Sequence, residues 1–140
     1  MGKVQILAVL TMDGCLSSEL YDKAHQDLCL DRCGLDEIRK KAFYRVTPDY
    51  SISMLHEWRK DCTNIRYLAE ATPDTADYIN GLLRMHAVDE IILYTVPFIS
   101  GSGRHFFKSA LPEQHWTLSS LKSYTHGVCR IYYILDKKAR

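Results

Sequence analysis

A chain of 140 residues, 46% hydrophobic and 25% charged, is sized for one domain, 1–140, around one sizeable core. Its net charge of +1 leaves neither the basic excess of a nucleic-acid surface nor an acidic tail. No apolar run is long enough to cross a bilayer, since VQILAVL is short and holds a glutamine.

The start of the chain lacks a charged leader with a small-residue cleavage site. MGKVQI also lacks the hydroxyl residue that myristoylation needs. Both point to a cytoplasmic, unanchored protein. The cysteines, Cys15, Cys29, Cys33, Cys62 and Cys129, are odd in number and read as reduced thiols. Cys29 and Cys33 share a predicted helix with His25, but the set lacks a fourth ligand and a knuckle spacing. It reads as small apolar thiols on a half-buried face, and no metal is expected.

Residues 3–11, KVQILAVLT, are almost continuously apolar, the pattern of a central strand buried on both faces. Asp13-Gly14 turns the chain. A helix is predicted over SSELYDKAHQDLCLDRC, capped by Ser17 or Ser18 and closed by Gly34. LDEIRKKA predicts a further helical turn or two, and FYRV a brief strand. SISMLHEWRKDC has Ile52, Leu55 and Trp58 at helical spacing behind a capping Ser51.

NIRYLAEA predicts a strand, and DTADYINGLLRMHA a helix with Ala76, Ile79, Leu82 and Leu83 inward. Gly81 weakens that helix. VDEIILYTVP is the strongest strand pattern in the chain. RHFFKSAL suggests a short helix, and WTLSSLKSYTHGVCRIYYILDK a hairpin turning at His126-Gly127. Strands alternating with helices argue for a layered α/β domain, parallel in its middle and mixed at one edge.

Ligands of open α/β sheets gather at the carboxyl ends of the strands. Three loops leave such ends: TMDGCLSS, AEATPDT and VPFISGSGRHFF. In the first, Asp13 either makes only the turn or faces a ligand. In the second, the Thr72 hydroxyl and the N–H groups behind it are placed to meet an anion at a helix N-terminus. Glu70 and Asp74 flank that spot and would repel a phosphate, so a simple capped helix is the competing reading. In the third, Gly101 and Gly103 permit close backbone approach, with Ser102 and Arg104 beside them. No catalytic triad is legible. His56 in H-E-W-R lacks the second histidine of a zinc protease motif.

VDEIILYTVPFISGSGRHFF, residues 88–107, resembles a stretch of the riboflavin-biosynthesis reductase (RibD C-terminal) domain, of the dihydrofolate reductase-like superfamily. That stretch reads V-D-E, an apolar strand, then P-x-x-x-G-x-G-x-x-x-F. ILAVLTMDGCL resembles the family's first strand, which ends in S-x-D-G before a basic residue. Thr11 stands for the serine, Asp13 and Gly14 match, and Cys15 stands for the basic residue. The element order from residue 42 onward also matches, so the resemblance covers most of the chain.

The resemblance implies a three-layer α/β/α sandwich, with a mixed, mostly parallel sheet and a C-terminal antiparallel hairpin. It implies an oxidoreductase that uses NADPH to reduce a pyrimidine- or pterin-like small molecule, often as a homodimer. Carried over by residue, Thr11, Asp13 and Gly14 line the substrate, with Asp13 orienting it as the catalytic candidate. Pro97, Gly101, Ser102 and Gly103 border the same cleft. The cofactor would meet Ala71 and Thr72, with Gly101 and Gly103 nearby.

The family carries glycines at the turn that meets the cofactor phosphates, where this chain reads LAEATPDT. The family's G-R-x-T strand end has no counterpart, and the chain is short between Gly34 and Phe43. Two functions therefore stand: an NAD(P)H-dependent reductase, and a non-catalytic small-molecule-binding or assembly protein that keeps the fold. A homodimer is also expected from the apolar, aromatic surplus at Tyr132, Tyr133 and Ile134.

Overall fold

A computed structural model describes residues 2–16, 33–61, 65–101, 105–108 and 111–136. The expected helix over 17–32, Cys29, Cys62, His25 and the loop residues Ser102, Gly103 and Arg104 lie outside the described residues.

The described strands are β1 (Lys3–Leu10), β2 (Tyr44–Arg45), β3 (Arg66–Glu70), β4 (Glu90–Thr95), β5 (Trp116–Ser123) and β6 (Cys129–Leu135). The helices are α1 (Leu35–Lys41), α2 (Ile52–Asp61) and α3 (Ala76–Arg84). One six-stranded sheet runs in the order β2-β3-β1-β4-β6-β5. The first four strands are parallel, and β6 and β5 close the edge antiparallel. The mixed α/β sheet expected from the sequence is thus present, with its terminal hairpin.

The period of two along β1 divides the core. Val4, Ile6 and Ala8 pack on one face with Leu55 of α2 and Ile79, Leu82 and Leu83 of α3. Leu7 packs on the other with Leu35 of α1, Leu68, Ile92 and Tyr94. Both faces are covered, so β1 and β4 are apolar at most positions, with Gln5 and Glu90 as buried polar exceptions. Burying a side chain such as Ile6 or Leu82 contributes about 1.5–3 kcal/mol. Gly81 is explained by close approach: a Cβ there would stand 3.3 Å from Ile52 Cδ1, where α3 meets α2.

Helix α2 is capped as its sequence predicts, the Ser51 Oγ accepting the Met54 N–H at 3.1 Å. Its Arg59 is 6% exposed and reaches Asp89 Oδ1 at 3.3 Å. The other carboxylate oxygen of Asp89 accepts the Val4 N–H. This pair ties α2 to the entry of β4.

The helix suggested by RHFFKSAL is absent from residues 105–108. The Phe106 N–H donates to the Gly14 carbonyl, and the Lys108 N–H to Asn80 Oδ1 at 3.0 Å. Asn80, fully buried, also donates to the Phe106 carbonyl at 2.7 Å. These long-range bonds hold the segment against α3 in place of local helical ones. Among the described residues, no helix is long and apolar enough to cross a membrane, and no cluster of side chains could hold a metal ion. Cys15, Cys33 and Cys129 are not in disulfides.

Candidate functional site at the carboxyl ends of the parallel strands

Two of the three expected loops are joined. The Met12 N–H donates to the Phe98 carbonyl at 2.7 Å. Asp13 Oδ1 accepts the Ser100 N–H at 3.1 Å and Oδ2 the Gly101 N–H at 3.0 Å. Cys15 forms an isolated bridge with His105. The exit of β1 is therefore fastened to the exit of β4, because the two strands are neighbours.

The Asp13 carboxyl is held well below its ordinary range, first by the Thr11 hydroxyl and then by the Gly101 and Ser100 N–H groups. It is an ionised acceptor at neutral pH, unable to donate a proton. Thr11 is 2% exposed; its hydroxyl donates to Asp13 and accepts the Cys15 N–H at 3.0 Å. Gly14 makes the turn at φ 81°. Thr11 thus positions Asp13 from within the loop, while Asp13 and Gly14 remain partly accessible. Pro97 is exposed and faces the hairpin: a Cβ on Gly127 would meet its Cγ at 3.1 Å. Sequence reasoning passed over two neighbours. Met12 is 67% exposed and Ile99 72%, giving this rim apolar surface for a flat ligand.

The second loop, AEATPDT, is closed upon itself. The Thr72 N–H donates to Thr75 Oγ1 at 2.8 Å, and the Thr75 N–H to Thr72 Oγ1 at 3.2 Å. Thr75 Oγ1 donates to the Glu70 carbonyl at 2.8 Å, and Pro73 has no N–H. The Ala71 N–H donates to the Leu7 carbonyl. Glu70 stands beside the turn, paired with Arg39 of α1 at 2.5 Å. A pyrophosphate needs free N–H groups and close backbone approach. Ala71 and Thr72 offer neither, and they do not fit the phosphates of NADPH.

On the α1 face, away from this rim, a cavity of about 280 Å³ is lined by Gln5, Ile38, Lys41, Arg66, Arg130 and Tyr132, among others. Two of these residues, Gln5 and Tyr132, belong to a buried polar cluster that the sequence did not reveal. Glu90, 3% exposed, accepts from Gln5 Nε2 and the Tyr132 hydroxyl, each at 2.6 Å. Its second oxygen pairs with Lys3 at 3.4 Å.

No protein-family profile and no curated protein matches the chain. Solved structures do. A protein assigned to riboflavin biosynthesis in Shewanella sp. PV-4 superposes with a TM-score of 0.64 at 11% identity, over 96% of this chain and 99% of that one. RibD of Acinetobacter baumannii gives 0.52 at 13%, over 97% of this chain and 58% of RibD, so the chain spans under two thirds of that protein. The riboflavin biosynthesis reductase of Saccharomyces cerevisiae gives 0.50 at 14%, over 97% and 89%. At such identities the likeness concerns the fold alone, which this chain shares with these riboflavin-biosynthesis proteins.

Proposed function

We propose that the rim formed by the β1 and β4 exits binds a small planar ligand of the pyrimidine or pterin class, on a reductase fold. The clamp from Asp13 to Ser100 and Gly101 carries this reading. It fixes an ionised carboxylate between two loops beside the exposed Met12 and Ile99. Such a carboxylate accepts hydrogen bonds from the ring N–H or amino groups that heterocycles of this class present. The apolar side chains cover the ring face.

The likeness to riboflavin-biosynthesis reductases supports NAD(P)H-dependent reduction of that ligand. The self-closed turn from Ala71 to Thr75 supports the other reading, a binding protein that keeps the cleft without the cofactor. The second is favoured at this turn, since no N–H of Ala71 or Thr72 is left for a phosphate. A homodimer is part of the proposal, supported by the exposed Leu118 and Leu121 on the edge strand β5.

Titration of the purified chain with NADPH, followed by nicotinamide fluorescence and thermal shift, separates the readings. Saturable binding in the micromolar range establishes the cofactor and overturns the non-catalytic reading. Absence of binding at millimolar NADPH overturns the reductase. Pyrimidine and pterin compounds that fail to raise the melting temperature would overturn the ligand class itself.

A further inference from the structure

We propose that the cavity on the α1 face is a second ligand site, which takes a small phosphate monoester carrying an apolar or aromatic group. It lies on the sheet face between α1 and the β5–β6 hairpin and contains none of the rim residues. The inference therefore does not rest on the reading of the rim.

Charge is the first argument. Lys41, Arg66 and Arg130 all line the cavity. The Glu90 carboxylate, behind the lining residues Gln5 and Tyr132, is matched by Lys3 and by those two donors. Glu70, on the same face of the sheet, is paired with Arg39. No carboxylate among the described residues pairs with Lys41, Arg66 or Arg130. Three cations facing one space favour a dianion over a single carboxylate, and a phosphate monoester carries close to two charges at neutral pH.

Hydrogen bonding is the second. Arg130 Nε is buried and has no partner, a costly state for a guanidinium N–H. A small shift of this side chain toward an anion in the cavity would satisfy it. Ser119 and Ser120, at the irregularity between Leu118 and Ser120 in β5, add hydroxyls to the same lining.

Size and polarity are the third. The volume of about 280 Å³ lies at the lower edge of pockets for drug-sized ligands, roughly 300–1,000 Å³. A dinucleotide is excluded and a phosphorylated ring is admitted. Ile38 from α1 and Ile92 from β4 supply apolar walls for that ring.

The test is a titration of the isotope-labelled full chain with phenyl phosphate, and in parallel with inorganic phosphate, followed by side-chain nitrogen–proton correlation spectra. The Arg130 Nε–H and Gln5 amide signals should shift saturably, with tighter binding of phenyl phosphate and weakening by salt. Lys41→Ala with Arg66→Ala should weaken binding roughly tenfold or more. Both residues are exposed, so unchanged circular dichroism and melting should accompany the loss. Equal affinity for inorganic phosphate would overturn the organic part of the proposal. Shifts that stay linear, or that persist unchanged in the double variant, would overturn the site.

Discussion

Asp13 and Gly101 are 88 positions apart in the chain and in direct contact, the carboxylate Oδ2 accepting the Gly101 N–H at 3.0 Å. This contact makes one rim of two loops. It also sets a pH dependence. Unfolded, the carboxyl titrates near its ordinary value of 3.8; folded, well below it. Its contribution is therefore present above about pH 4 and lost as pH falls through the folded value. In Asp13→Asn the melting temperature should fall at neutral pH, and thermal melts from pH 6 downward should lose that part of the acid slope. An unchanged slope would mean the contact is not made in solution.

Thr75 closes the turn before α3 by accepting the Thr72 N–H and donating to the Glu70 carbonyl. Thr75→Ala should cost about 1 kcal/mol in urea denaturation, the usual net value of an intramolecular hydrogen bond. Loss of these bonds would not create NADPH binding, because Glu70 and Pro73 remain at the turn.

Asn80 holds residues 105–108 against α3 through its carboxamide. Asn80→Ala leaves the Phe106 carbonyl and the Lys108 N–H without their partner. A loss of about 2–4 kcal/mol is expected by chemical denaturation. A loss under about 0.5 kcal/mol, typical of surface changes, would contradict the docking of this segment on Asn80.

Burial raises the Tyr132 hydroxyl to about 12, and its bond to Glu90 adds to the shift. The neutral form is favoured in the folded chain. Its stability contribution is complete below the ordinary value of 10.0 and is lost as pH rises from there toward 12. Tyr132→Phe should flatten this alkaline loss, read from melts between pH 9 and 12. An alkaline slope equal to that of the parent would remove Tyr132 from the buried cluster.

Leu118 and Leu121 are 52% and 62% exposed on the edge strand. The proposed homodimer covers them. Sedimentation at micromolar concentration should show a dimer, converted to monomer by Leu118→Lys with Leu121→Lys. A monomeric parent chain would overturn the dimer.

Much of the frame was legible before any coordinates. The nearly continuous apolarity of KVQILAVL and EIILYT follows from burial on both faces. The inward positions of α3, Ala76, Ile79, Leu82 and Leu83, are all buried, because helical periodicity records which side meets the sheet. The turn at Asp13-Gly14 and the cap at Ser51 were equally local, set by residue chemistry over a few positions.

The tertiary structure alone decided how polar groups are partnered. Gln5 and Glu90 are 85 residues apart and Glu90 and Tyr132 are 42 apart, and no local pattern marks them as one cluster. Residues 105–108 read as helical by composition, yet they are not helical and are held by bonds to Gly14 and Asn80. The N–H of Thr72, apparently free for an anion at a helix N-terminus, is taken by Thr75. Hydrophobic patterning survives in one dimension because burial imposes a period on the chain. Hydrogen-bond partnership across a sheet carries no such period, since it depends on which strands become neighbours.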